Sequence, residues 1–262
     1  MKYSIAEDAH PQIKLLLLAT LITFVLWFLP FADYLVYPVR LFVTFIHEGS
    51  HALAALLTGS SVQSLTVASD GSGMVQTLSG NPLSVLITSS AGYLGAIAYG
   101  SILLILIRRA YSARIVLAIS AGFVGLMTFI FGFFAPVFNL FSAEISVFGV
   151  FFTVLSGAFL TAALLAIAKY ASAWWANFTL AFLAVQCLLN AVMDLVSLFF
   201  INAPLVGSHI HSDAANMYQA TGIPSIFWVF IWIGVSILMI SIGLRVYAVA
   251  KQSKQHDLPF ED

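Results

Sequence analysis

Charge is what this chain has least of. Asp, Glu, Lys and Arg make up 8% of its 262 residues, and the formal net charge is −1. A soluble domain carries about 25% charged residues, so the composition excludes an ordinary soluble fold. Basic patches are absent too, which excludes a nucleic-acid partner. The single cysteine, Cys187, rules out an intrachain disulfide and leaves too few thiols for a thiolate metal site. Low-complexity tracts, internal repeats and paired broken helices are missing, and the last of these argues against a small-solute or metal transporter.

What is there is apolar: 61% of the residues are hydrophobic. Apolar runs of about 18 residues or more predict spanning helices. They fall at roughly 13–30, 36–59, 82–107, 114–134, 145–168, 173–201 and 223–249. The expected fold is therefore an all-α polytopic membrane protein of about seven helices, in one integral membrane domain over 1–262. With that count, Arg108, Arg109, Arg114, Lys169, Lys251 and Lys254 share one side, which the positive-inside rule makes cytoplasmic. Trp174, Trp175, Trp228 and Trp232 read as lipid-facing or interfacial bulk, and Arg40 as an anchor that snorkels to the interface. Gly92, Ala96 and Gly100 recur every four residues, a small-residue stripe suited to close helix packing.

Inside the second run stands His47-Glu48-Gly49-Ser50-His51, an HExxH pattern. Two histidines four apart share a helix face and can grip one zinc ion. The glutamate beside the first is placed to accept a proton from a zinc-bound water. Ionisable residues at membrane depth are costly, so they default to a functional reading.

A zinc held by two histidines needs a third protein ligand. Apart from Glu48, the acidic residues deep in apolar runs reduce to Asp194. No Lys or Arg occurs in its predicted helix, about 173–201, to stabilise the carboxylate, and zinc is the simplest partner. Asn190 lies one turn before Asp194 on the same face, placed to orient that ligand or to bind substrate backbone. The alternative third ligand is Asp213, in His209-Ile210-His211-Ser212-Asp213, which otherwise caps a short helical turn.

Residues 61–77 follow the HExxH helix directly. Two β-prone stretches flank Asp70-Gly71-Ser72-Gly73, the signature of a short β-hairpin. A strand edge beside a zinc site can hold an extended peptide by main-chain pairing, which makes Gly71 and Gly73 candidate substrate-binding positions.

The stretch HEGSHALAALLTG (47–59), the glycine-containing hairpin after it and the distant Asn190–Asp194 pair resemble the site-2 protease group of zinc intramembrane peptidases. The likeness is to the compact bacterial branch without a PDZ domain. It implies a multi-pass protein of a bacterial cytoplasmic membrane, with Zn2+ as cofactor, a membrane-protein or peptide substrate, and lipid as surroundings. It implies His47, His51 and Asp194 as ligands and Glu48 as base. Two departures stand out: the prolines usual between Asn and Asp are absent, and Leu195 replaces the glycine that normally follows the Asp. A second reading of the same residues is a non-catalytic adaptor that keeps the zinc fold, although an inactive relative has no chemical need of Glu48.

Overall fold

The structure is a computed structural model that describes residues 10–78, 81–109, 112–139, 145–202 and 212–248. Helices dominate it. In chain order they are α1 (His10–Phe28), α2 (Ala32–Leu57), α3 (Pro82–Arg108), α4 (Ala113–Met127), α5 (Ala135–Phe138), α6 (Val147–Tyr170), α7 (Ala173–Asn202), α8 (Asp213–Thr221) and α9 (Ser225–Ala248). A π-helical stretch, Thr128–Phe134, joins α4 to α5. Strands β1 (Ser61–Val67) and β2 (Gly73–Leu78) form an antiparallel two-stranded sheet between α2 and α3. The predicted hairpin is there.

Among the described residues, five helices are long and apolar enough to cross a membrane: α3, the continuous α4–α5 rod, α6, α7 and α9. The expected number was about seven. Among the described residues, α1 carries a shorter apolar stretch, Ile13–Leu26. α2 falls out because Arg40, His47, Glu48 and His51 dilute its hydropathy. The candidate metal ligands and the apolar span thus compete for the same helix. The protein remains an integral membrane protein on the strength of the other five.

α2, α3, α7 and α9 pack together around Phe45, Ile46, Ile97, Leu104 and Leu180, all fully buried. Gly100 lets α7 come close: a Cβ there would lie 2.9 Å from Leu188 and 3.1 Å from the Ala184 carbonyl. Outward faces carry Phe148, Phe151, Leu155 and Phe159 on α6 and Phe227, Phe230 and Ile231 on α9, all exposed as lipid-facing side chains are. Trp174 and Trp175 are exposed as expected. Trp232 is not: it lies in the core, where its indole N–H donates to Ser90 Oγ at 3.0 Å. A buried indole needs such an acceptor, and Ser90 supplies one from α3. The guanidinium of Arg114 donates to the Ala171 carbonyl at 2.7 Å, so the connections α3–α4 and α6–α7 meet at one end of the bundle.

The hairpin is strapped down along β1. A bulge between Val62 and Ser64 leaves Gln63 out of register, and Asn139 donates to the Gln63 carbonyl at 3.4 Å. Thr153 on α6 accepts from Val67 N at 2.7 Å. Leu65 and Val67 are fully buried beneath it. At the turn, Asp70 accepts two bonds from Ser72, and these hold its carboxyl below the ordinary carboxylate range. Gly71 adopts φ +85°, the left-handed conformation an Asp-Gly turn calls for.

Candidate metal centre

His47 and His51 sit one turn apart in the middle of α2, with Glu48 buried between them in sequence. α3 crosses at Gly92. A Cβ at that position would strike Nε2 of both imidazoles, so only glycine leaves room for the pair. His51 Nδ1 donates to the Thr88 carbonyl at 2.6 Å. That bond fixes the tautomer and turns Nε2 outward as a lone-pair donor. Tyr93 packs edge-on against His47, with ring centroids 4.7 Å apart, and lies tilted against Trp232 behind, at 5.5 Å and 34°.

The acidic group that meets these nitrogens comes from α8. Asp213 Oδ2 lies 3.3 Å from His51 Nε2 and 3.6 Å from His47 Nε2. Among the described residues, His47, His51 and Asp213 form the one cluster that could hold a metal, with ligand atoms all within 4.8 Å of one another. Ligand atoms at about 2.0–2.2 Å from a tetrahedral zinc lie roughly 3.3–3.6 Å apart. Both His–Asp separations match that spacing, and the donor set of two imidazoles and one carboxylate suits the ion. The helix-capping alternative for Asp213 goes instead to Ser212, whose side chain accepts from Ala215 N at 3.3 Å.

Asp194 lines the same cavity but stands outside that cluster. Sequence favoured it as the carboxylate deepest in an apolar run. Depth along the chain does not reveal which acidic residue the fold carries to the histidines. Here the packing of α8 against α3 brings in Asp213. Asn190, one turn before Asp194, spends both amide protons on Gln186, at 2.8 Å to its carbonyl and 2.9 Å to Oε1. Its own oxygen is left as an acceptor on the cavity wall. Gln186 is held in turn by Thr23 of α1 at 2.9 Å. His209 and His211 lie outside the described residues.

The cavity encloses about 1240 Å³ and takes in Arg40, His47, Glu48, His51, Asn190, Asp194 and Asp213. Its far wall is the hairpin: Gly71 and every residue of Gly73–Thr77 line it. β2 runs close over Glu48, for a Cβ at Gly73 would come within 2.5 Å of the Glu48 side chain. Both candidate glycines thus stand in the cavity, Gly71 shaping the turn and Gly73 making room for the carboxylate. Arg40, read from sequence as an interfacial anchor, also faces this space. Its spacing, two turns before His47 on the same face, was the available signal. Gly92 was legible only as part of a packing stripe, and nothing in the sequence pointed to Tyr93.

The chain is an apolar helical bundle of the integral-membrane class that encloses a buried HExxH glutamate and three residues that could hold a metal. The model of the Peptidase M50B-like family matches residues 16–243, and the chain belongs to that family, within the site-2 proteases. No curated protein and no solved structure matches the chain.

Proposed function

We propose that this protein is a zinc-dependent intramembrane endopeptidase that hydrolyses peptide bonds of membrane-embedded substrates. The observation that carries the reading is the convergence of His47, His51 and Asp213 within 4.8 Å beside the buried Glu48. These three residues are the proposed ligand set. Asp194 becomes a wall residue of the cavity.

Zinc, when bound, supplies the Lewis acidity that polarises a scissile carbonyl and eases deprotonation of water. The chain's own groups do the rest. Glu48 accepts a proton from the attacking water as the new C–O bond forms, and returns it to the leaving nitrogen as the C–N bond breaks. A helical substrate must unwind first, because its carbonyls are already hydrogen-bonded along the helix. The hairpin is suited to receive the unwound strand. β1's main-chain groups at Gln63 and Val67 are taken up by Asn139 and Thr153. The sheet ends at β2, whose residues line the cavity over Glu48. A substrate strand adds on that side by main-chain pairing. Across the cavity, the Asn190 oxygen is oriented to accept one of its N–H groups. The proposed setting is a bacterial cytoplasmic membrane, the surroundings are lipid, and no nucleic acid takes part.

The test is zinc content of the detergent-purified protein together with cleavage of a reconstituted single-span model substrate. Glu48→Gln is expected to keep about one zinc per chain and to lower cleavage by roughly 10²–10⁴-fold, the range general base catalysis supplies. Cleavage at the parent rate in that variant would overturn the reading.

A further inference from the structure

We propose that Arg40 is a specificity residue that binds a substrate carboxylate about three residues from the scissile bond. The inference rests on the peptidase reading above and adds the substrate chemistry it lacks.

Four observations carry it. Arg40 is the one Lys or Arg among the residues lining the cavity, which otherwise presents the carboxylates of Glu48, Asp194 and Asp213. The chain has placed a cation where the acidic wall alone would repel an acidic substrate. Arg40 is also exposed into that space, and among the described residues no carboxylate lies within ion-pair distance of it. Asp70 on the hairpin and Asp194 on the cavity wall feel its charge from beyond ion-pair distance, and Asp70 Oδ1 is committed to two bonds from Ser72, at 2.8 and 2.6 Å. Third, the turn is shaped around the arginine. A Cβ at Gly71 would lie 2.8 Å from Arg40 Nε and 3.2 Å from both Cδ and Cζ. Thr44 pins the same turn by donating to the Gly71 carbonyl at 2.7 Å. The guanidinium is thereby flanked by backbone and faces the channel.

The fourth observation is position. Arg40 precedes His47 by two helical turns on the same face, about 10 Å along the axis at about 1.5 Å per residue. An extended strand covers that distance in about three residues. β2 enters beside Glu48 at Gly73 and runs away from the turn that touches Arg40. A strand paired antiparallel to β2 therefore reaches Arg40 with the part C-terminal to the bond at Glu48. Guanidinium and carboxylate match in a bidentate, charge-assisted fork. The carboxylate can be an Asp or Glu side chain or a free chain terminus.

The experiment measures binding separately from catalysis. Full-length zinc-loaded protein carrying Glu48→Gln is titrated with fluorescent, Val/Thr-rich apolar peptides. One Glu is stepped through successive positions of amidated peptides, with Gln in the matched controls. A second arm uses peptides shortened to end in a free carboxylate. In one register the carboxylate is expected to tighten Kd about tenfold, the factor one charge-assisted bond supplies. Adding Arg40→Gln should erase that gain, and Arg40→Glu should move it to the matching Lys peptide, with zinc content reporting that both variants are folded. The arm showing the gain identifies side chain or terminus as the source. Equal binding of Glu and Gln peptides in every register, or a gain that Arg40→Gln leaves intact, would overturn the proposal. Cleavage by the parent without discrimination removes the Arg40 role alone. Discrimination without cleavage removes the peptidase reading and leaves the Arg40 role standing.

Discussion

Asp213 and Asp194 present the same carboxylate to one cavity, yet they stand differently to the two histidines. Asp213 lies 3.3 and 3.6 Å from the two imidazole nitrogens, and Asp194 stands outside that group. Asp213→Asn is therefore expected to lose zinc, because a neutral amide is a poor ligand. Asp194→Asn should keep about one zinc per chain, read by elemental analysis of the purified protein. The opposite pattern would return Asp194 to the ligand set. At this scale the sequence was legible where chemistry and spacing coincide. His47, Glu48 and His51 could be read because four residues on a helix make one face. The partner from α8 could only be offered as an alternative, because helical spacing says nothing about contacts between helices far apart in the chain. Gly92 was opaque for the same reason, since its value lies in the imidazoles it faces and not in its neighbours along α3.

The hairpin shows what an element can add. Alternating β-prone stretches around Asp-Gly were enough to predict it, and the strands lie within a residue or so of the expected 61–77. Which strand faces the cavity was not legible, since that depends on Thr153 and Asn139, far along the chain. Thr153 gives the clearest element-scale prediction. Thr153→Val keeps the shape but leaves the buried Val67 N–H without its partner at 2.7 Å, a cost of about 1–3 kcal/mol. Thr153 is not among the residues lining the cavity, so zinc content should stay at the parent level. Substrate affinity should fall as β2 loses its backing, seen as a raised KM with kcat little changed. A fall in kcat alone would count against the hairpin as the substrate's docking strand. The number of spans belongs to this scale as well. A helix that must also carry polar chemistry, as α2 does, scores low on hydropathy, so composition identifies five spans among the described residues and leaves the expected seven unconfirmed.

For the whole molecule, the candidate metal centre joins α2 near the start of the chain to α8 near its end, with Gly92 of α3 between them. Binding to the folded state alone stabilises by about 2.7 kcal/mol when the free ligand is 100 times its Kd. A chelator is accordingly expected to lower the melting temperature of the detergent-solubilised parent. The Asp213→Asn variant should start lower and not respond to chelator. An equal drop in both would detach the metal from this centre.

That join has a bearing on a chain whose one cysteine leaves no disulfide to form. Coordination of one ion by His51 and Asp213 would close a loop that includes the hairpin and all but one of the five candidate membrane-crossing helices. It would do for this bundle what a covalent staple does for a secreted domain, by removing freedom from the opened state. Unlike a disulfide it would be indifferent to thiols and reductants. It would be set by metal supply, so the ion proposed to equip the cavity for hydrolysis would also govern how tightly the bundle is shut around it.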